Sequence, residues 1–179
     1  MEKNNLNVRE ANENDIQYIA DYWFTAAPDF LEGMGVDVSR MPDPGQFKQM
    51  LKQQIALPYK EKKAYALIWE VDGKPIGHTN VNPTVYGKEA YMHIHIWFPE
   101  ERKKGNGSQL IKMSLPYYFK NLQLERVLCE PYALNPAPNK TLEKLGFRFI
   151  KEYITTPGAI TFEQPVKQWG VLRNEIITN

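Results

Sequence analysis

Between Tyr65 and Phe98 the chain sets out three β-forming runs. Residues 65–71 form the first, Asp72-Gly73 follows, and residues 74–81 form the second. Asp-Gly suits the two-residue type I′ turn, in which both central residues take positive φ. The segment therefore predicts an antiparallel hairpin. The third run, residues 89–98, alternates strictly: Tyr91, His93, His95 and Trp97 share one face, and Met92, Ile94, Ile96 and Phe98 the other. A sheet is thereby required, and the remaining segments must cover its faces.

Helical signals flank this block. Ile16, Ile19, Ala20, Trp23 and Phe24 recur at helical spacing behind an Asn12 cap, with Asp15 three residues on. Pro28 ends that pattern, and residues 26–41 read as a long irregular connection. Asp43-Pro44 begins a second helix, with Gln46 in the reciprocal capping position and Phe47, Met50, Leu51 and Ile55 as its apolar face. A third helix opens from a glycine-rich turn near residue 105 and shows Ile111, Leu115, Tyr118 or Phe119, and Leu122 on one side. Pro116 lies inside it; an interior proline costs about 3 kcal/mol, which predicts a bend or an early end. Residues 127–132 read as a short strand and 138–145 as a short helix stopped by Gly146. Residues 147–155 and 160–172 read as two closing strands around Pro157-Gly158, and 6–9 as a further short strand.

The 179 residues suit one domain over 1–179, large enough to bury roughly 70% of its unfolded surface without staples. One cysteine, Cys129, excludes an intrachain disulfide and fits cytoplasmic residence. No apolar run approaches the roughly 20 residues of a membrane helix, and residues 1–10 lack the apolar centre of a signal peptide. A net charge of +1 argues against a dedicated nucleic-acid binder.

The chemistry concentrates between residues 89 and 132, in a strand, glycine turn, helix and strand. Arg102, Lys103, Lys104, Gly105, Asn106, Gly107 and Ser108 place unpaired backbone N–H groups, full positive charge and two glycines at a helix start. That combination suits a pyrophosphate. It is neither a Walker A sequence nor a dinucleotide fingerprint.

The run Pro99-Glu100-Glu101-Arg102-Lys103-Lys104-Gly105-Asn106-Gly107 resembles the acyl-CoA motif of the GNAT superfamily of N-acyltransferases, Pro-x-x-Arg/Gln-x-x-Gly-x-Gly/Ala. The run from Asn135 to Phe147, ending Leu142-Glu143-Lys144-Leu145-Gly146-Phe147, is similar to that family's later motif in the branch of ribosomal-protein N-terminal acetyltransferases. The resemblance implies a mixed, mostly antiparallel sheet with helices on both faces and a splayed parallel strand pair. It implies acetyl-CoA as co-substrate and no metal. It also implies that Trp97 and Phe98 offer backbone groups to pantetheine, that residues 102–108 hold the diphosphate, and that Asn135 and Asn139 flank the arm. The family's serine is Pro138 here and its tyrosine Leu142, so the usual proton donors to the departing thiolate are missing.

Acyl transfer to an amine needs a proton acceptor, since an ammonium titrates near 10. His93 and His95 are candidate bases on the strand leading into the turn; inert sheet-face histidines are the plain alternative. Glu130 and Tyr132 alternate on the neighbouring strand, and Tyr132 is the candidate general acid. Cys129 reads as a small buried hydrophobe. The acceptor pocket is expected beside residues 26–43, where Asp29, Glu32, Asp37 and Asp43 face one base, Arg40, and Phe30 and Met34 add an apolar wall. The expected acceptor is a small cationic amine or a peptide N-terminus, with a homodimer left open. The competing readings are a non-catalytic acyl-CoA-binding module and an RNA-associated protein using its lysine and arginine clusters.

Overall fold

A computed structural model describes residues 4–102 and 104–176. Seven strands form one sheet: β1 (Leu6–Glu10), β2 (Tyr65–Val71), β3 (Lys74–Val85), β4 (Glu89–Ile96), β5 (Arg126–Cys129), β6 (Arg148–Thr155) and β7 (Gln164–Leu172). Their order is β1-β2-β3-β4-β5-β7-β6. Every neighbouring pair is antiparallel except β4 and β5, which run parallel. The helices are α1 (Ile16–Phe24), α2 (Pro28–Gly33), α3 (Pro44–Ala56), α4 (Asn106–Asn121), α5 (Pro136–Lys144) and α6 (Arg173–Ile176). This is the mixed α/β architecture that the resemblance implies.

The hairpin forms as its turn residues dictate. Asp72 and Gly73 take φ of 51° and 77°, and Val71 stands opposite Lys74. A bulge between Trp69 and Glu70 then shifts the register, so that Ile68 faces His78.

Side-chain alternation sorts the strands onto two cores. On one face Leu67, Trp69, Val81, Met92, Val127 and Trp169 meet Leu110, Ile111, Leu115, Tyr118 and Phe119 of α4 and Leu142 of α5. The Trp69 indole N–H donates to Ser114 Oγ at 2.9 Å, so its one polar group is satisfied in the interior. On the opposite face Ile19 and Tyr22 of α1 close over Ile68 and Trp97.

Several elements depart from expectation. Pro28 ends α1's pattern and also begins α2, because a proline at the first helical position forfeits no hydrogen bond; the 26–41 connection therefore contains a helix. α4 does not end at Pro116 but continues through it to Asn121. Pro116 and Lys112, whose carbonyl it leaves unpaired, both lie on the solvent face, while Ile111, Leu115, Tyr118 and Phe119 anchor the turns on either side. Met50 is exposed, and α3 has no fully buried residue. The strand expected over 127–132 ends at Cys129, and Tyr132 makes only an isolated bridge to Val166. β7 starts at Gln164 and tolerates Pro165, because the missing N–H falls where β5 has given way to a loop.

Candidate active site

The parallel ladder between β4 and β5 is short. It joins Glu89 to Arg126, Ala90 to Val127 and Tyr91 to Leu128, and stops. Beyond that point β4 stays with β3 (Gly77 opposite Ile96) while β5 stays with β7 (Cys129 opposite Trp169), so the two strands part. Backbone groups alternate in direction along a strand. Trp97 N–H donates to Ile76 O at 2.9 Å and the Thr79 hydroxyl donates to His93 O at 2.7 Å, so odd-numbered residues spend their main chain on β3. The groups turned to the gap are those of Ile94 and Ile96. Of the backbone groups of Trp97 and Phe98, expected to serve an added arm, Trp97 N–H and Phe98 C=O are engaged within the protein, the latter by Glu101 N–H at 3.0 Å.

The glycine turn follows at the end of β4. Gly105 caps α4 with φ of 83°, where a side chain would be strained although it would meet no atom. Asn106, Gly107 and Ser108 supply the first N–H groups of a 16-residue helix. Lys104 Nζ pairs with Glu101 Oε1 at 2.9 Å on the surface. Asn106 Nδ2 and Glu101 Oε2 are buried with no hydrogen-bond partner. Arg102 turns inward: Nε and Nη2 lie 3.3 and 3.1 Å from Ile96 O, and the guanidinium sits 4.4 Å over the Phe30 ring. Lys103 lies outside the described residues.

On the neighbouring helix Asn135 caps α5, its Oδ1 accepting from Ala137 N–H at 3.3 Å. Asn139 is buried and fully committed. Its amide donates to Tyr132 O and Asn135 O at 3.1 and 2.7 Å, and its oxygen accepts from Trp169 Nε1 at 2.8 Å. It fixes the β5–α5 loop.

The histidine face of β4 carries a cluster the sequence reading only half contained. His95 stacks on His78 from β3, ring centroids 4.6 Å apart, with Tyr22 and Trp23 of α1 against it. The Trp97 indole, which can only donate, gives its N–H to His78 Nδ1 at 2.8 Å. His78 is therefore neutral with its proton on Nε2. Burial, reinforced by His93 nearby, pushes its pKa down to about 3. His95 Nδ1 lies 3.4 Å from the Tyr22 hydroxyl, and burial holds this ring well below the ordinary histidine range. His93, on the same face, turns toward the β3–β4 end of the sheet at Asn82. Its Nε2 is 2.7 Å from Asn82 O, and a carbonyl only accepts, so Nε2 carries the proton and the Nδ1 lone pair is left open. Burial lowers the pKa of His93, against smaller raising effects of that carbonyl and of Glu130.

Glu130 stands on the same side, just past β5. Its Oε1 accepts from Gln168 Nε2 at 2.6 Å and from the Tyr153 hydroxyl. Tyr22, His78, Tyr153 and Gln168 are thus site neighbours that residue spacing did not reveal. Tyr132 is half-buried beside Phe162. Cys129 is buried in the core facing α4, which raises its pKa far above the ordinary thiol value and removes it from the chemistry.

Two segments wall this face. Phe30 and Met34 lie against the aromatic cluster, and residues 34–40 are fastened to the β6–β7 connection. Asp37 N–H donates to Ile160 O at 2.8 Å, Phe162 N–H to Gly35 O at 3.3 Å, and Arg40 Nη1 to Thr161 O at 3.1 Å. Of the expected acidic collar, Asp37 is spent on Ser39 and Arg40, and Asp43 on capping α3. Asp29 and Glu32 are exposed on α2. Among the described residues no group of three or more His, Cys, Asp or Glu is placed to hold a metal ion, and no helix is long and apolar enough to cross a membrane.

Comparison with known proteins places these features in context. The family described as Acetyltransferase (GNAT) domain matches residues 5–148. A search of curated proteins finds no match. Among solved structures, a point mutant of spermidine N-acetyltransferase SpeG from Vibrio cholerae is similar, with a TM-score of 0.76 at 18% identity over 97% of this chain and 96% of that one. A chimera of the same Vibrio cholerae enzyme with hSSAT gives 0.77 at 18% identity over 97% and 99%. A dodecameric structure of that enzyme in an intermediate state gives 0.74 at 18% over 97% and 96%.

Proposed function

Because the chain belongs to the GNAT acetyltransferase family, we propose that it moves an acetyl group from acetyl-CoA directly to the amine of a small polycationic acceptor. The observation that carries this reading is the early end of the β4–β5 ladder at Tyr91 and Leu128, next to a glycine-capped helix start. The pantetheine arm lies as an added strand along the main chain of Ile94 and the N–H of Ile96, since Arg102 holds the Ile96 carbonyl. The diphosphate sits on the N–H groups of Asn106, Gly107 and Ser108, with Lys104 exchanging its surface ion pair for it. The orphaned buried donor Asn106 Nδ2 fits an acceptor-rich anion at this place.

The acceptor enters from the histidine face. His93 Nδ1 takes a proton from the incoming ammonium, and Glu130, held by Tyr153 and Gln168, stabilises the resulting imidazolium. The free amine attacks the thioester carbonyl, a C–N bond forms and the C–S bond breaks. The thiolate takes the proton of the Tyr132 hydroxyl, since Leu142 is buried in the core and Asn139 is fully bonded, and the proton shed by the new amide nitrogen restores that hydroxyl. Phe30 and Met34 contact the carbon chain, and Asp29 and Glu32 attract the distal ammonium groups. The Vibrio cholerae neighbours, named for spermidine, make a linear polyamine the first acceptor to try. The whole chain acts as one domain, and the exposed Phe149, Ile150 and Ile154 of the edge strand β6 are its surface for self-association.

The test is calorimetry with acetyl-CoA followed by thiol release against an amine panel. Uptake with turnover on polyamines is expected; no uptake by the folded protein sinks the proposal. Uptake without turnover on any amine favours the alternative of an acyl-CoA-binding module, which the missing serine and tyrosine of the later motif support.

A further inference from the structure

We propose that Arg102 is a positioning residue that braces the acceptor wall on α2 against the open edge of β4, and not a ligand of the coenzyme's diphosphate. The inference rests on the functional reading above for which surface meets the acceptor, but its geometry is independent of that reading.

Three contacts define the brace. Both Nε and Nη2 donate to the single carbonyl of Ile96, at 3.3 and 3.1 Å, which fixes the plane of the guanidinium. One face of that plane lies 4.4 Å over Phe30, the ring that α2 contributes to the apolar wall. The charge also reaches the Tyr22 hydroxyl on α1, where it opposes the upward push of burial on that group. Arg102 therefore belongs to the histidine face, although its position in the sequence is that of a phosphate-binding motif. Lys104, two residues on, is the contrast. It is exposed, and among the described residues its ammonium meets Glu101 alone, three positions back on the same turn. Drawing Arg102 outward would give up two charge-assisted hydrogen bonds and a cation–π contact at once.

The brace explains how α2 is placed. Leu31 is its one fully buried residue, and a helix of six residues has little packing of its own. The clasp to residues 160–162 fixes the chain after α2, and Arg102 fixes α2 itself. Lysine cannot replace it, because an ammonium offers neither the fork nor the flat face.

The experiment reads the protein alone and then the reaction. Arg102→Ala, Arg102→Lys and Phe30→Leu are compared with wild type by hydrogen exchange over residues 28–36, with β2 and β3 as the internal control for folding. All three variants are expected to speed exchange over 28–36 about five-fold or more. With acetyl-CoA and a linear triamine, Arg102→Lys is expected to raise acceptor KM about five-fold or more, with kcat and coenzyme A affinity within about three-fold of wild type. Unchanged exchange over 28–36 in both Arg102 variants overturns the brace. So does a coenzyme A affinity that falls about ten-fold in Arg102→Ala and returns in Arg102→Lys, the pattern of a phosphate ligand. Failure of the wild type to take up coenzyme A would instead overturn the proposed function, and the exchange result would still decide the role of Arg102.

Discussion

Gly77→Ala tests whether the contact between β3 and β4 sets the position of the histidine face. Gly77 lies opposite Ile96. A Cβ built on it would stand 2.4 Å from His95 O and 3.1 Å from Ile96 Cα, and both neighbours are backbone. The first distance is about 1 Å inside ordinary non-bonded contact. No side chain can swing aside, so β4 must retreat from β3 by that amount at His95 and Ile96. The retreat strains the Trp97 N–H to Ile76 O bond of 2.9 Å and the indole bond to His78 of 2.8 Å. Overpacking of this kind costs about 2 kcal/mol, which for a chain of this size is a fall in Tm of about 4–8 °C. A displacement of about 1 Å at the reacting groups lowers kcat/KM about 100-fold. Thermal unfolding by circular dichroism and acetyl-CoA-dependent thiol release measure the two effects. Gly33→Ala is the control, because a Cβ there meets nothing within 4 Å. A Gly77→Ala protein that melts within about 1 °C of wild type would refute the claim that this strand contact is rigid.

Other outcomes follow from the same geometry. Folded His78 takes up its proton only near pH 3 and the unfolded chain near 6.5. Its contribution is therefore complete above about 6.5 and is lost as pH falls toward 3, on the order of 4 kcal/mol over the window. Urea melts of His78→Asn, whose Oδ1 can still accept the indole N–H, should show the stability gap between pH 7 and pH 4 narrowed by about 3 kcal/mol; an unchanged gap contradicts the assignment. Pro116→Ala should raise stability by about 2 kcal/mol by returning a hydrogen bond to the Lys112 carbonyl, and a lower Tm would show that the proline is needed. Gly105→Ala, forced to keep φ of 83°, should cost about 1 kcal/mol and weaken coenzyme A binding several-fold by calorimetry. Asp29→Asn with Glu32→Gln should raise KM for a cationic acceptor about three- to ten-fold while leaving that for acetyl-CoA unchanged; equal values in both proteins remove the carboxylates from recognition.

Local signals carried the architecture. Asp72-Gly73 specified a turn needing two positive φ values, and the strict alternation after Glu89 put Met92, Ile94 and Ile96 under α4 and the histidines on the other face. What stayed hidden depended on partners distant in sequence. A regular hairpin closed by Asp72-Gly73 would set His78 opposite Leu67, on the α4 side; the bulge at Trp69 and Glu70 sets it opposite Ile68 and turns it into the site. Glu130 gains its role from Tyr153 and Gln168, more than 20 residues downstream. The charge of Arg102 suggested phosphate, but the direction of its side chain was decided by the Ile96 carbonyl and the Phe30 ring. Pro116 does not end the helix, because its cost depends on whether the freed carbonyl meets solvent, which needs the helix's orientation.

The fastening of residues 34–40 to 160–164 has a bearing on how the protein is made. A nascent chain released as far as residue 155 would hold all three strand histidines, the glycine turn and all of α4, yet its α1–α2 segment would have nothing to hook onto. The cleft is completed only when a stretch translated more than a hundred residues after the first half of its wall emerges from the ribosome. A message cut short before that stretch would yield a polypeptide with most of its sheet and an unfastened wall over its histidine face.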